Sequence, residues 1–100
     1  MSNQSNQPLA PRSETDAQES VFSDAAWLTV VHDDPVNLMA YVQWVFESYF
    51  GMTSTVARER MLAVHRKGRA VLAAGGREAM ERDVQAMHTY GLRATIEQEA

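Results

Sequence analysis

The sequence predicts an α+β two-layer domain, a three-stranded antiparallel sheet packed against three helices in the order βααβαβ, behind a disordered N-terminal tail. Three observations carry this. A β-branched apolar run occupies residues 27–32. Three later segments repeat apolar residues at three and four spacing, each followed by a glycine, and strict alternation returns at residues 92–97. A period near 3.6 marks a helix and a period of 2 marks a strand, and alternation of the two along one short chain points to layered sheet and helix.

The first twenty residues, MSNQSNQPLAPRSETDAQES, hold Leu9 as the one aliphatic residue larger than alanine after Met1. Such a composition cannot bury enough apolar area to offset the entropy of ordering. We therefore divide the chain of 100 residues into a disordered extension, 1–26, and a folded domain, 27–100. A domain of that size buries only about 60% of its unfolded surface and has no room to enclose a large cofactor.

Trp27-Leu-Thr-Val-Val-His32 reads as the first strand, closed by Asp33-Asp34-Pro35. Met39, Val42, Val45, Phe46, Tyr49 and Phe50 form the stripe of a first helix spanning 36–50. Asp34 or a neighbour is placed to cap it, Pro35 suits its first turn, and Gly51 suits the left-handed position beyond it. Thr53 is placed to cap a second helix reaching Lys67, with Ala57, Met61 and Val64 inward and Gly68 at its end. Arg69–Ala74 is a second strand, broken by Gly75-Gly76. Arg77–Tyr90 is a third helix on Met80, Val84 and Met87, and Leu92–Glu97 is the last strand.

Bulk properties exclude several function classes. The net charge is −4. In residues 1–26 Arg12 stands against Glu14, Asp16, Glu19 and Asp24, so −3 of that total lies in the tail. The near-neutral remainder has no long-range field for nucleic acid. The absence of cysteine removes disulfides, thiolate metal sites and thiol nucleophiles. No apolar run approaches the ~18 residues of a membrane span, and no basic-then-apolar leader opens the chain. A cytoplasmic monomer without cofactor or membrane is expected.

The candidate chemistry lies in His32-Asp33-Asp34 and in His65. Adjacent carboxylates need a cation or several donors nearby. One reading is a helix-capping Asp beside a solvated one; the other is a small anionic corner that holds a cationic group. His65 borders the apolar face of its helix, where a structural role competes with a binding one. The histidines and aspartates lack the tight spacing of a metal site, so no metal is expected. A small hydrolase built on Asp33, Asp34 and His65 would need a metal or nucleophile pattern that the sequence lacks. Methionines at 39, 61, 80 and 87 fit the core, and also suit a pocket accepting several apolar side chains.

Taken together, Trp27-Leu-Thr-Val-Val, Asp33-Asp34, Met39 opening a helix that ends in Phe50-Gly51-Met52, Met61-Leu-Ala-Val-His65, Gly68-Arg-Ala-Val, Glu78 and Thr95-Ile-Glu97 resemble the ClpS adaptor family. Asp-Asp-Pro-Val-Asn-Leu-Met is similar to its actinobacterial branch. The resemblance implies a non-enzymatic adaptor. It would recognise N-degron substrates with bulky apolar first residues (Leu, Phe, Tyr, Trp) and deliver them to a Clp AAA+ unfoldase, ClpC or ClpA type, through that partner's N-terminal domain.

By the same resemblance Asp34 and His65 would bind the substrate's ammonium, with Asp33 in the preceding acidic position. Met39, Val42, Met61, Val64 and Leu92 would line the side-chain pocket. His32 stands where the family has Asn, and Asn37, in a loop one residue longer than usual, is a candidate for the missing amide. Glu78 matches an unfoldase-contacting Glu, while Asp83 replaces a Lys. The tail would assist delivery. An alternative is a regulator of the unfoldase that has lost terminus-specific binding.

Overall fold

The computed structural model describes residues 26–99. The expected disordered extension, apart from Ala26, lies outside the described residues, so the 1–26 boundary stands as a reading of composition. The elements are β1 (Trp27–His32), α1 (Met39–Phe50), α2 (Ser54–Lys67), β2 (Arg69–Gly75), α3 (Arg77–Thr89) and β3 (Arg93–Gln98). The order βααβαβ is the one that the periodicities predict. β1 is central, antiparallel to both neighbours, in the order β2-β1-β3.

The helices cover one face of the sheet. Val31 from β1 joins Val45 and Phe46 of α1, Met61 of α2, and Val84 and Met87 of α3 in one buried cluster. Thr29, also fully buried, donates its hydroxyl to the Met80 carbonyl at 3.1 Å, which satisfies a polar group that burial would otherwise penalise. The other face is sealed by long polar side chains. Arg69 is opposite His32 and Glu97 is opposite Leu28, so their 2.6 Å ion pair crosses β1 at Val30, which is fully buried. The Arg69 hydrogen bond holds the Glu97 carboxyl below its ordinary pKa.

The second helix follows its sequence signals closely. Thr53 accepts from the Val56 amide at 3.2 Å, and Gly68 ends α2 at φ 89°, a conformation that side chains with a Cβ disfavour. The first helix departs from expectation. It begins at Met39 with Leu38 as its N-cap and no side-chain cap, not at Val36 with Asp34 capping and Pro35 in the first turn. The cause is local competition for donors. Asp34 Oδ1 accepts from the Val36 amide at 2.9 Å, and its carbonyl accepts from the Asn37 amide at 3.3 Å. Residues 33–37 thus close a turn before the helix starts. At the other end of the chain α3 stops one residue short of Tyr90, and β3 runs 93–98 rather than 92–97.

Candidate functional site

The turn at 33–37 forms one wall of a cavity of about 200 Å³ between the end of β1, the start of α1 and the last turns of α2. His32, Asp33, Asp34, Asn37 and His65, the residues expected to bind an amine, all line it. So do Met39, Val42, Met61, Val64 and Leu92, the expected apolar lining. Secondary structure explains the convergence. Met61, Val64 and His65 are three and four apart on α2 and share one face of it. Met39 and Val42 are the corresponding pair on α1. Leu92 follows the left-handed Gly91 (φ 88°), whose turn brings the chain back under the cavity before β3.

Two lining residues were not expected, Val31 and Pro35. Val31 was legible only as a core strand position, and it is both core and cavity floor. Pro35 carries a helix-start signal in the sequence, and its wall position follows from the turn.

The polar corner contains more acceptors than donors. Asp33 and His65 are both substantially exposed, with Asp33 Oδ1 4.0 Å from His65 Nδ1. That separation exceeds a hydrogen bond, so neither group satisfies the other. One nitrogen placed about 2.8 Å from each would subtend an angle of about 90° between them, well suited to two N–H bonds of an ammonium.

Asp33, rather than Asp34, is therefore the carboxylate beside His65. Asp34 is half-buried with one oxygen held by the Val36 amide. Asp34, expected to bind the ammonium, lines the cavity with part of its acceptor capacity used to build the turn. Asn37 donates Nδ2 to the Gly91 carbonyl at 3.0 Å, which leaves its Oδ1 as the free end of the amide. His32 has Nε2 2.7 Å from the Thr95 hydroxyl. The Arg93 guanidinium reaches the Asp33 carbonyl at 3.4 Å, and the Asp33 amide donates to the Gly68 carbonyl at 3.0 Å. The backbone of the corner is thereby pinned from β3 and from the end of α2.

Glu78 and Asp83 differ in kind. Glu78 is exposed in the first turn of α3. Asp83 is half-buried, and the Tyr49 hydroxyl donates to its Oδ1 at 2.7 Å. Five residues apart on a helix, they do not share a face. Among the described residues no group of three or more His, Asp or Glu side chains gathers as metal ligands, and no helix is long and apolar enough to cross a membrane.

Comparison with known proteins decides the lineage. Residues 23–95 match the family model described as ATP-dependent Clp protease adaptor protein ClpS. The chain belongs to the ClpS family. It is 56% identical over 89 residues to the ATP-dependent Clp protease adapter protein ClpS of Streptomyces coelicolor, covering 85% of this chain and 93% of that one. It is 52% identical over 77 residues to the ClpS of Mycobacterium tuberculosis, covering 77% and 76% respectively. The solved structure of Agrobacterium tumefaciens ClpS2 bound to L-phenylalaninamide shares the fold, with a TM-score of 0.66 at 22% identity over 76% of this chain and 99% of that one. ClpS proteins are adaptors of the Clp protease, and this chain is accordingly an adaptor and not an enzyme.

Proposed function

We propose that this ClpS adaptor selects proteins by their first residue, when that residue is Leu, Phe, Tyr or Trp, and passes them to a Clp AAA+ unfoldase of the ClpC or ClpA type. The observation that carries the reading is one cavity that joins an acceptor-rich corner at its mouth to an apolar floor. A free α-amino group, with a reference pKa of about 7.7–8.0, is largely a cation at neutral pH. Asp33 is the principal acceptor for it. His65 in its neutral form is the second, and Asp34, His32 and Asn37 complete the corner.

The magnitudes suffice. Charge-assisted hydrogen bonds contribute about 1.5–3 kcal/mol each. Burial of a Leu or Phe side chain against Met39, Val42, Met61, Val64 and Leu92 adds about 1.5–3 kcal/mol. Two such bonds and one such side chain reach about 4.5–9 kcal/mol, a range whose upper end is micromolar binding. A dry cavity of about 150 Å³ accepts benzene, so the volume here suits one large apolar side chain. L-phenylalaninamide, the ligand of the Agrobacterium tumefaciens neighbour, combines a free amine with an apolar aromatic side chain. An internal peptide nitrogen is uncharged and carries a single hydrogen. It would leave Asp33 desolvated and unpaired, so the corner discriminates against the middle of a chain.

The test is fluorescence polarisation with a labelled peptide beginning with Phe and its N-acetylated twin. The free peptide binds at micromolar concentration, and acetylation weakens it at least about tenfold, the loss of one charge-assisted bond. Equal affinity for the two sinks the reading. Binding to the unfoldase without any terminus-dependent peptide binding would instead support the regulator that has lost this pocket. On the partner side we assign the unfoldase contact to Glu78, with Asp83 held internally by Tyr49. We place the adaptor in the cytoplasm as a monomer.

A further inference from the structure

The residue that fills the family's Asn position raises a chemical question. A carboxamide always has an oxygen to offer an ammonium. A neutral imidazole offers one acceptor nitrogen and one N–H donor, and which is which depends on the tautomer. His32 is therefore an acceptor for the substrate's amine only if its proton resides on the nitrogen turned away from the cavity.

The sheet supplies the means. His32 is the last residue of β1 and is opposite Arg93. Thr95 is opposite Val30, two residues along β3, so it projects on the same face as Arg93 and is the diagonal neighbour of His32. Thr95 Oγ1 is 2.7 Å from His32 Nε2. Thr95 is no part of the cavity wall, whereas His32 is; it borders instead an adjoining groove that it shares with His32, His88 and Arg93. With Nε2 committed to that side, the nitrogen left for the cavity is Nδ1.

We propose that Thr95 is a positioning residue for terminus recognition: it accepts the Nε2 proton of His32, and so presents a bare Nδ1 to the ammonium of the incoming chain. The inference rests on the terminus-binding reading above. A hydroxyl can donate or accept, so Thr95 alone does not choose the tautomer. The ligand completes the choice. An ammonium has only donors, and the one arrangement that pairs it with His32 while keeping the Thr95 bond places the proton on Nε2. Thr95 also fixes the ring plane of a partly exposed histidine that would otherwise turn freely. The substitution of Asn by His is thereby accommodated with a second residue doing what the amide's covalent structure does unaided.

The experiment compares wild type, Thr95→Val and Thr95→Ser for binding of a Phe-initiated peptide, with the acetylated peptide measured on wild type. Valine keeps the β-branched shape at an exposed strand position, so the fold tolerates it. Thr95→Val binds about fivefold more weakly, the factor that an ordinary hydrogen bond confers, and Thr95→Ser regains wild-type affinity. The 15N shifts of the His32 ring in the peptide complex report a proton on Nε2 in wild type and Thr95→Ser, and a tautomer mixture in Thr95→Val. Undiminished affinity in Thr95→Val, or a loaded wild type protonated on Nδ1 alone, overturns the role of Thr95. If wild type binds free and acetylated peptides alike, the terminus reading itself fails and this inference falls with it. Discrimination by wild type with an indifferent Thr95→Val removes only the inference.

Discussion

Two carboxylates at opposite ends of α1 meet opposite fates. Beyond its C-terminal half, Asp83 of α3 is half-buried and receives the Tyr49 hydroxyl at 2.7 Å, in a seam where the Tyr49 ring also stacks edge-on with Phe50 and Tyr90 at 4.9 and 6.4 Å. Before its N-terminus, Asp33 is exposed. His65 is 4.0 Å away, too far to bond with it, and Asp34 is beside it in sequence. In the first region the chain provides its own donor and the charge serves to hold two helices together. In the second the described residues supply no donor to the carboxylate, and the proposed function has the donor come from an incoming ammonium. An anionic group without a partner among the described residues, at the mouth of an apolar cavity, is the feature on which the proposed binding role rests.

The comparison breaks most sharply through Asp33. Replacing Asp33 by Ala removes a charge-assisted acceptor and should weaken a Phe-initiated peptide by about ten- to a hundredfold. The melting temperature should hold, because Asp33 contributes its backbone, not its carboxylate, to the bonds with Gly68 and Arg93. Polarisation and a thermal melt on the same sample check both halves. A large loss of stability with retained affinity would make Asp33 a second Asp83. A smaller effect belongs to Met39, which is 46% exposed at the cavity rim. Met39→Ala leaves the core untouched and should weaken the same peptide by about three- to tenfold through lost apolar contact. An unchanged affinity would place the bound side chain elsewhere.

The contrast also marks what the sequence makes legible. Elements with strong periodicity and clear ends, such as α2 between Thr53 and Gly68, were readable to the residue, because a cap and a left-handed glycine are local physics. The membership of the cavity was also readable, since spacing on α2 and the family resemblance converge on Met61, Val64 and His65. The start of α1 was not. Proline and aspartate suit a helix N-terminus and a turn equally well, and the choice was made by the Asp34 bond to Val36 and the Asn37 bond to Gly91. The second of these spans 54 positions in sequence, beyond the reach of any local pattern. The same limit hides the partnerships of Asp83 with Tyr49 and His32 with Thr95, which depend on helix packing and strand register.

The structural carboxylate yields the smallest effect, and one with a definite sign. Burial first, then the hydrogen bond to Asp83, pushes the Tyr49 hydroxyl up to about 12. Burial also raises the Asp83 carboxyl, opposed by its bond from Tyr49. Tyr49 is thus protonated in the folded chain over the interval from about 10 to about 12, where the unfolded chain has lost that proton. The folded state then binds more protons, so stability falls as pH rises through that interval. Tyr49→Phe abolishes this contribution. At neutral pH it should lower stability by about 1 kcal/mol, because the half-buried Asp83 carboxylate loses its donor. Between pH 10 and 12 the gap between variant and wild type should narrow, since the wild type is losing what the variant never had. Urea unfolding at pH 7, 10 and 11.5 measures it. No gap at any of the three would show that Tyr49 holds α1 against α3 by its ring alone, and peptide affinity should be the same in both proteins at neutral pH, because this seam takes no part in the cavity.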